Sequence, residues 1–529
     1  LDTGTEMEVS GKEQIRSTKS PFPTKVKIDK KGIVNPFEYK DFDSYLDETN
    51  FASNSQYVGL AMSLAKGFYK YNKTFTDEDG NKKTKIVTIY TPYSNPKVFE
   101  KLQRLIEKNK KASSKEKQAI KKQINDTTKA FLTSYRDSMS QTILGLYDTL
   151  DPSFVKESKQ WYEGANRFAN FLARKYNLTL EQAGGIIGVL SPQKDWFTNV
   201  SNAERSIDVL SKHGDDIFTE EILDAAYKEF NRSAKKGQEV SSAEALRKRK
   251  SVFEGKTINQ LIKEGLSDDD VAIALRAMDQ AINSPSVLST YPSGKNFGYT
   301  KTRVAWNSFS EIGRAINIFF NGKYDNISKV IGKGNKVRNF INNIIDPQSK
   351  DGFITADTHA FSVALMLPIS ANDAGAAKLF TGGESAMYAM VEDAYRKAAA
   401  ERNLLPREMQ SVTWEAQRVG INNPNRQAEE KERVVQTSKD LENKGVSPYE
   451  RAIYLASQNK GKAPNWAVNM GIDNIITQKP DVAKDVDNTL QKPIEKIREE
   501  EAVTEIRQQK ETDEERLKRV REKILVKRK

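Results

Sequence analysis

Two short segments hold the residue types whose spacing could do chemistry. Gly332-Lys333-Gly334-Asn335-Lys336 sets an amine directly after a glycine-rich turn. Thr355-Ala356-Asp357-Thr358-His359 sets a carboxylate where the apolar pair Phe353 and Ile354 gives way to the apolar run Ala360–Leu367. Gly332 and Gly334 can adopt positive φ and let a ligand approach the backbone, and consecutive N–H groups that open onto a helix form an anion site. Lys336 falls in the first turn of an amphipathic stretch, Val337–Ile345, that reads as a helix. Asp357 comes 21 residues after Lys336 and is a natural N-cap for the helix that follows. A turn that grips phosphate, an amine that can act as nucleophile and a carboxylate that can stabilise developing positive charge are the parts that cleavage of an N-glycosidic bond in DNA requires. His359 reads as a buried hydrogen-bonding residue rather than a metal ligand, because no second histidine is near it in sequence.

The elements that must position these residues are mostly helices. Residues 97–150 and 154–210 carry helical periodicity, with Trp161, Ala165, Phe168, Phe171, Leu172 and Tyr176 on one face. Thr179 is a plausible N-cap for Leu180–Leu190, a small-residue, apolar and therefore buried helix that ends at Ser191-Pro192-Gln193. Helical patterns return at 303–345 and 384–420, where Tyr388, Val391, Ala394, Tyr395 and Ala398 share a face and Pro406 starts a further helix. Pro448–Ser457 reads as one more short helix. The strongest β signal is a hairpin, Tyr69–Phe75 and Lys85–Tyr90, around the acidic turn Asp77–Asn81. The expected fold class is therefore mainly α. Four regions are expected: a polar N-terminal tail (1–55), a small α+β region with the hairpin and a basic helix (56–150), a helical domain (151–424) with an insertion at about 213–300, and a charged helical or disordered tail (425–529).

Composition narrows the chemistry. Eighty-four Lys/Arg against 72 Asp/Glu give a net charge of +12 over 529 residues, a balance that suits a polyanionic partner such as DNA. There is no cysteine, which excludes disulfides, thiolate zinc sites and cysteine-ligated clusters, and only two histidines, so no metal and no cofactor is expected. No run of about 18 apolar residues is present, so no membrane partner is expected. The polar start Leu1-Asp2-Thr3-Gly4 is unlike a signal peptide and lacks an initiator Met. A chain processed from something longer, found in a host cytoplasm or a phage particle, is expected.

Over residues 155–420 the motifs resemble the helix-hairpin-helix DNA glycosylase superfamily, the group that includes endonuclease III and the 8-oxoguanine glycosylases. The family's Gly-x-Gly-x-Lys hairpin matches Gly332, Gly334 and Lys336, its Asp-x-His context matches Asp357-Thr358-His359, and its Leu-Ser-x-Gln segment matches Leu190-Ser191-Pro192-Gln193, in the same order. Lys333 replaces the usual small apolar residue, and the distance from Gln193 to Lys336 is longer than in compact glycosylases. The resemblance implies a glycosylase-like helical core. It gives Lys336 and Asp357 catalytic roles and sets Gly332, Lys333, Gly334, Asn335, Ser191, Gln193 and Trp196 against DNA. Trp161 and Trp414 read as core residues. The chain is also similar to uncharacterised proteins encoded by tailed bacteriophages. It shares their Trp-Tyr-x-x-Ala-Asn start (Trp161–Asn166), the Leu-Ser-Pro-Gln segment, the Gly-x-Lys-Val hairpin and the closing block Pro406, Gln410, Thr413 and Trp414.

The leading expectation is a phage-encoded base-excision glycosylase, with abasic-site lyase activity through a lysine Schiff base. The alternative is a DNA-binding or virion-associated phage protein that keeps the fold without catalysis and contacts phage structural proteins. A plain helical assembly protein, basic only for solubility, is the third.

Overall fold

Helix starts along the chain fall where capping chemistry puts them. Thr179 accepts from the Gln182 amide while Gln182 accepts from the Thr179 amide, and this reciprocal box opens Leu180–Val189. Asn95 caps Pro96–Lys111, and a Ser113–Glu116 box opens the 35-residue helix Ser114–Asp148. Asp357 caps Thr358–Leu365. The computed structural model describes residues 55–458 except 77–80, 193, 195, 233, 236–237, 283–286, 290–297, 301–308, 333, 368, 370–385 and 421–435, together with Glu6–Met7, Val26–Lys27, Phe42 and Leu46. The described chain is mainly helical, and none of its helices is long and apolar enough to cross a membrane.

The hairpin forms as the alternation predicts. Phe68–Thr76 pairs antiparallel with Lys82–Tyr90, Phe68 opposite Tyr90 and Thr76 opposite Lys82. Two shorter antiparallel pairs, Glu6–Met7 with Val26–Lys27 and Val287–Ser289 with Gly298–Thr300, carry no sequence signal, because runs of two and three residues are too short to alternate.

Two compact units divide the chain. One comprises Leu1–Asn166, Ser191–Gln193 and Lys323–Asn474; the other comprises Arg167–Leu190, Lys194–Gly322 and Ile475–Lys529. These units cut the sequence differently from the four expected regions. The hairpin and basic helices join elements from beyond residue 323 in one unit, and the segment 213–300 lies wholly in the other.

In the first unit the long helix Ser114–Asp148 is the spine. Phe131, Leu132, Tyr135, Met139 and Ile143 share one core with Tyr388, Val391, Ala394, Tyr395 and Ala398 of Ala386–Glu401, the face that periodicity predicts. The helix Pro448–Gln458, expected at Pro448–Ser457, also belongs to this unit. A Cβ on Gly145 would lie 2.7 Å from the Ala452 Cβ and 2.7 Å from the Tyr449 carbonyl, so glycine lets the two helices cross closely.

The second unit gathers helices from Leu180–Val189 to Phe309–Phe320. The Leu180–Val189 helix is buried along Gln182–Val189, and Gln182 donates to the Ile318 and Phe319 carbonyls at 3.2 and 3.0 Å. Arg205 and Asp279 form a buried ion pair, with Nε 2.6 Å from Oδ1. Removing one partner alone would strand a buried charge.

Candidate functional site

The glycine turn joins two helices, Tyr324–Ile331 and Asn335–Ile345. Gly332 has φ 77° and ψ −164°, a region open essentially to glycine alone. Gly334 has φ −66° and does not use that freedom; it is the N-cap residue, and no side chain caps the helix there. The turn's shape depends on Arg338, which is buried. Its Nη2 donates to the Gly332 carbonyl at 2.6 Å and to the Ser328 carbonyl at 2.9 Å, and its Nη1 donates to Ser328 Oγ at 3.1 Å. A cation therefore holds the carbonyl end of the first helix, where the helix dipole is negative. The second helix begins two residues before Val337. Lys336 is half-buried in its first turn. Asn335 is buried, which corrects its expected place on a DNA-facing surface. Lys333 lies outside the described residues.

The extended segment leading to Asp357 is gripped from several sides. Asn343 Nδ2 donates to the Phe353 carbonyl (3.3 Å) and Asn339 Nδ2 to the Ile354 carbonyl (2.7 Å). Gln410 Nε2 donates to the Thr355 carbonyl (3.2 Å), the Tyr162 hydroxyl donates to Thr355 Oγ1 (2.8 Å), and Arg396 Nε donates to the Gly352 carbonyl (3.0 Å). Positions 343 and 339 share one face of the Asn335–Ile345 helix, about one turn apart. The contacts step down this helix as the segment steps up from 353 to 354. Over these two contacts the helix and the segment run antiparallel.

Asp357 has both carboxylate oxygens engaged. Oδ1 accepts from the His359 and Ala360 amides, each at 3.0 Å, and Oδ2 accepts from the Trp414 indole N–H at 2.9 Å. Three N–H donors thus point at the carboxylate, which sits at the positive end of the helix dipole. The carboxylate is half-buried, and among the described residues no ion pair joins it to Lys336. An aromatic wall stands beside it. Trp414 meets His359 edge-on at 5.7 Å and Trp161 at 5.6 Å, and Trp161 packs on Tyr162 at 4.8 Å and Phe340 at 5.9 Å. Burial pushes the Tyr162 hydroxyl up to about 12; the Asp357 charge adds to the shift, while the hydroxyl's hydrogen bonds with Thr355 and Asn343 oppose it. Beneath this wall Asn339 also donates to Glu392 Oε1 at 3.0 Å. Burial holds the Glu392 carboxyl well above the usual carboxylate range, against the opposing pull of Arg396 and Asn339.

Asp357 is thus an N-cap, as its position in sequence predicts, and Trp414 is corrected from a core residue to a half-buried donor on that carboxylate. Sequence reasoning also missed Arg338, Asn339, Asn343 and Tyr162. A signal for some of them existed. The Trp161–Asn166 and Pro406–Trp414 blocks, noted only for a resemblance, converge on the Asp357 segment. In the first, Asn166 Nδ2 donates to the Ile344 and Ile345 carbonyls (2.8 and 3.1 Å), closing the far end of the hairpin helix. Ser191 is half-buried and Gln193 lies outside the described residues. Trp196 is buried in the second unit, edge-on to Phe168 at 6.5 Å, a core position rather than an exposed stacking platform. Among the described residues no group of three or more His, Asp or Glu side chains could hold a metal.

No curated protein and no solved structure matches the chain. One family profile matches residues 125–283 and 301–421, more than half of the sequence, and covers the long helix from residue 125 on, the glycine turn, Asp357 and Trp414. On that match the chain belongs to the family described as "Family of unknown function (DUF7178)".

Proposed function

We propose that the first unit carries a base-excision site on a glycosylase-like helical core, with Asp357 and Lys336 as its reacting groups. One observation carries the reading: the Asp357 carboxylate is fixed at a helix N-terminus by two amides and the Trp414 indole. Breaking an N-glycosidic bond develops positive charge on the sugar, and a fixed carboxylate stabilises it without reorganising. The target nucleotide must leave the stack to reach such a site. The uncapped amides at Gly334 would hold a flanking phosphate.

The Lys336 amine is the nucleophile. Its lone pair bonds to the anomeric carbon while the carbon–nitrogen bond to the base breaks, and the base leaves with the bonding pair and takes up a proton. The amine loses a proton, the sugar ring opens to a Schiff base, and β-elimination of the 3′ phosphate gives strand cleavage. The test is release of free base from duplexes carrying oxidised, alkylated or deaminated bases. Wild type is expected to release base and Asp357→Asn to release none. No release from any of these duplexes by wild type would refute the reading.

A second reading is favoured by the completeness of the Asp357 contacts: all three hydrogen bonds are internal, so the residue has a full structural role without substrate. On that reading the fold binds DNA, or phage structural proteins, without catalysis, and Asp357→Asn binds DNA as wild type does.

A further inference from the structure

The chain's positive charge is concentrated in one stretch. Residues 82–129 hold fourteen Lys/Arg and four Asp/Glu, a surplus of ten in a chain whose whole surplus is twelve. All of these cations except Lys129 precede the stretch that the family profile matches. Within the helix Pro96–Lys111, five of them recur at helical spacing: Lys97, Lys101, Arg104, Lys108 and Lys111. They form a single stripe about 21 Å long, every member is exposed, and none forms an ion pair among the described residues. Lys115 and Lys122 continue the exposed charge onto the next helix, and Lys82, Lys83 and Lys85 add to it on the hairpin strand. Exposed Ile86, at 68%, stands beside those strand lysines.

The opposite sides of both helices are already used. Leu102, Ile120 and Ile124 are buried in the unit's core, and Val98, Phe99, Leu105 and Ile106 pack against it. No apolar face is left to enter a bilayer, which an interfacial membrane helix needs. A rigid row of unpaired cations instead matches a polyanionic rod. At one phosphate per about 3.4 Å of axis along a strand, the stripe spans roughly six phosphates.

We infer that the Pro96–Lys111 stripe, with its hairpin and Lys115–Lys122 flanks, is a sequence-independent surface for the phosphate backbone of duplex DNA, separate from the Lys336–Asp357 site. It does not rest on the base-excision reading. The test is the salt dependence of binding to an undamaged duplex by the full chain. Each lost phosphate contact lowers the slope of log affinity against log salt by about 0.9. Replacing Lys101, Arg104 and Lys108 together with Gln should therefore reduce the slope by about 2.7 and weaken binding on the order of 10²-fold at ~0.1 M salt.

The control replaces Lys228, Lys235 and Lys263, three exposed lysines of the other unit, with Gln. It should leave the slope unchanged. Equal loss in the control, absence of duplex binding at low salt, or binding to phosphatidylserine vesicles in place of DNA would each overturn the inference. Circular dichroism should show the same helix content in all variants.

Discussion

The bond from the Trp414 indole to Asp357 gives the sharpest test of how the site is built. The contact joins a half-buried carboxylate to an N–H donor at 2.9 Å. A hydrogen bond to a charged group contributes about 1.5–3 kcal/mol, and partial exposure puts this one near the lower end, about 1.5 kcal/mol. Asp357→Asn keeps an oxygen to accept from the His359 and Ala360 amides, and asparagine is as good an N-cap as aspartate. That variant should lose mainly the indole bond. Trp414→Phe removes the same bond from the other side, together with part of the ring contact to Trp161. The two costs should not add. The double-mutant cycle should return a coupling of about 1.5 kcal/mol, a factor of roughly ten in the local opening constant.

Because the chain has two compact units, a single unfolding transition is not assured. The readout is therefore hydrogen exchange of the His359 and Ala360 amides, whose acceptor is Asp357 Oδ1, beside urea unfolding followed by circular dichroism. Additivity within about 0.5 kcal/mol would refute the claim that Trp414 holds the carboxylate.

Two further outcomes follow from the same geometry. Gly332→Ala forces a side chain into φ 77° and ψ −164° and should cost about 1–3 kcal/mol by urea unfolding. Gly334→Ala, at φ −66° with nothing within 4 Å of a new Cβ, should stay within about 0.5 kcal/mol of wild type; equal costs would show that the turn is not set by Gly332. Glu392 binds its proton more tightly in the folded state than in the unfolded chain, because burial raises its folded value. Its stabilising contribution is full below the ordinary value of 4.5 and falls as pH rises toward the raised one, by up to about 1.4 kcal/mol per pH unit. Glu392→Gln keeps an acceptor for Asn339 and should flatten that slope in pH-dependent unfolding, whereas an unchanged slope would contradict the assignment.

What could be read from sequence was local. The Thr179 and Asp357 caps, the Pro406 helix start, the hairpin strands and the buried face of Ala386–Glu401 all depend on residues within a turn or two of each other. The partners of those elements depend on closure over long loops. Trp414 is 57 residues from Asp357 and Gln410 is 55 from Thr355, and no period in the chain encodes such pairings. A buried polar residue is equally opaque. Arg338, Asn339 and Asn343 look like the polar side of an amphipathic helix, yet they are buried and spend their donors on backbone carbonyls. Asn335 was mistaken for a surface residue for the same reason. The helix Pro448–Gln458 was visible as a helix, but its place against Gly145 was not, because a glycine that admits a neighbour resembles any other small residue in sequence.

The central claim is that Lys336 attacks a sugar carbon beside Asp357. Borohydride reduction during incubation with duplex DNA bearing an abasic site tests it most directly, since a Schiff base becomes a permanent protein–DNA bond. A covalent adduct with the wild-type chain that is lost in Lys336→Ala, while undamaged-duplex binding is kept, is the predicted result. No adduct with wild type, or an adduct undiminished in Lys336→Ala, would contradict it.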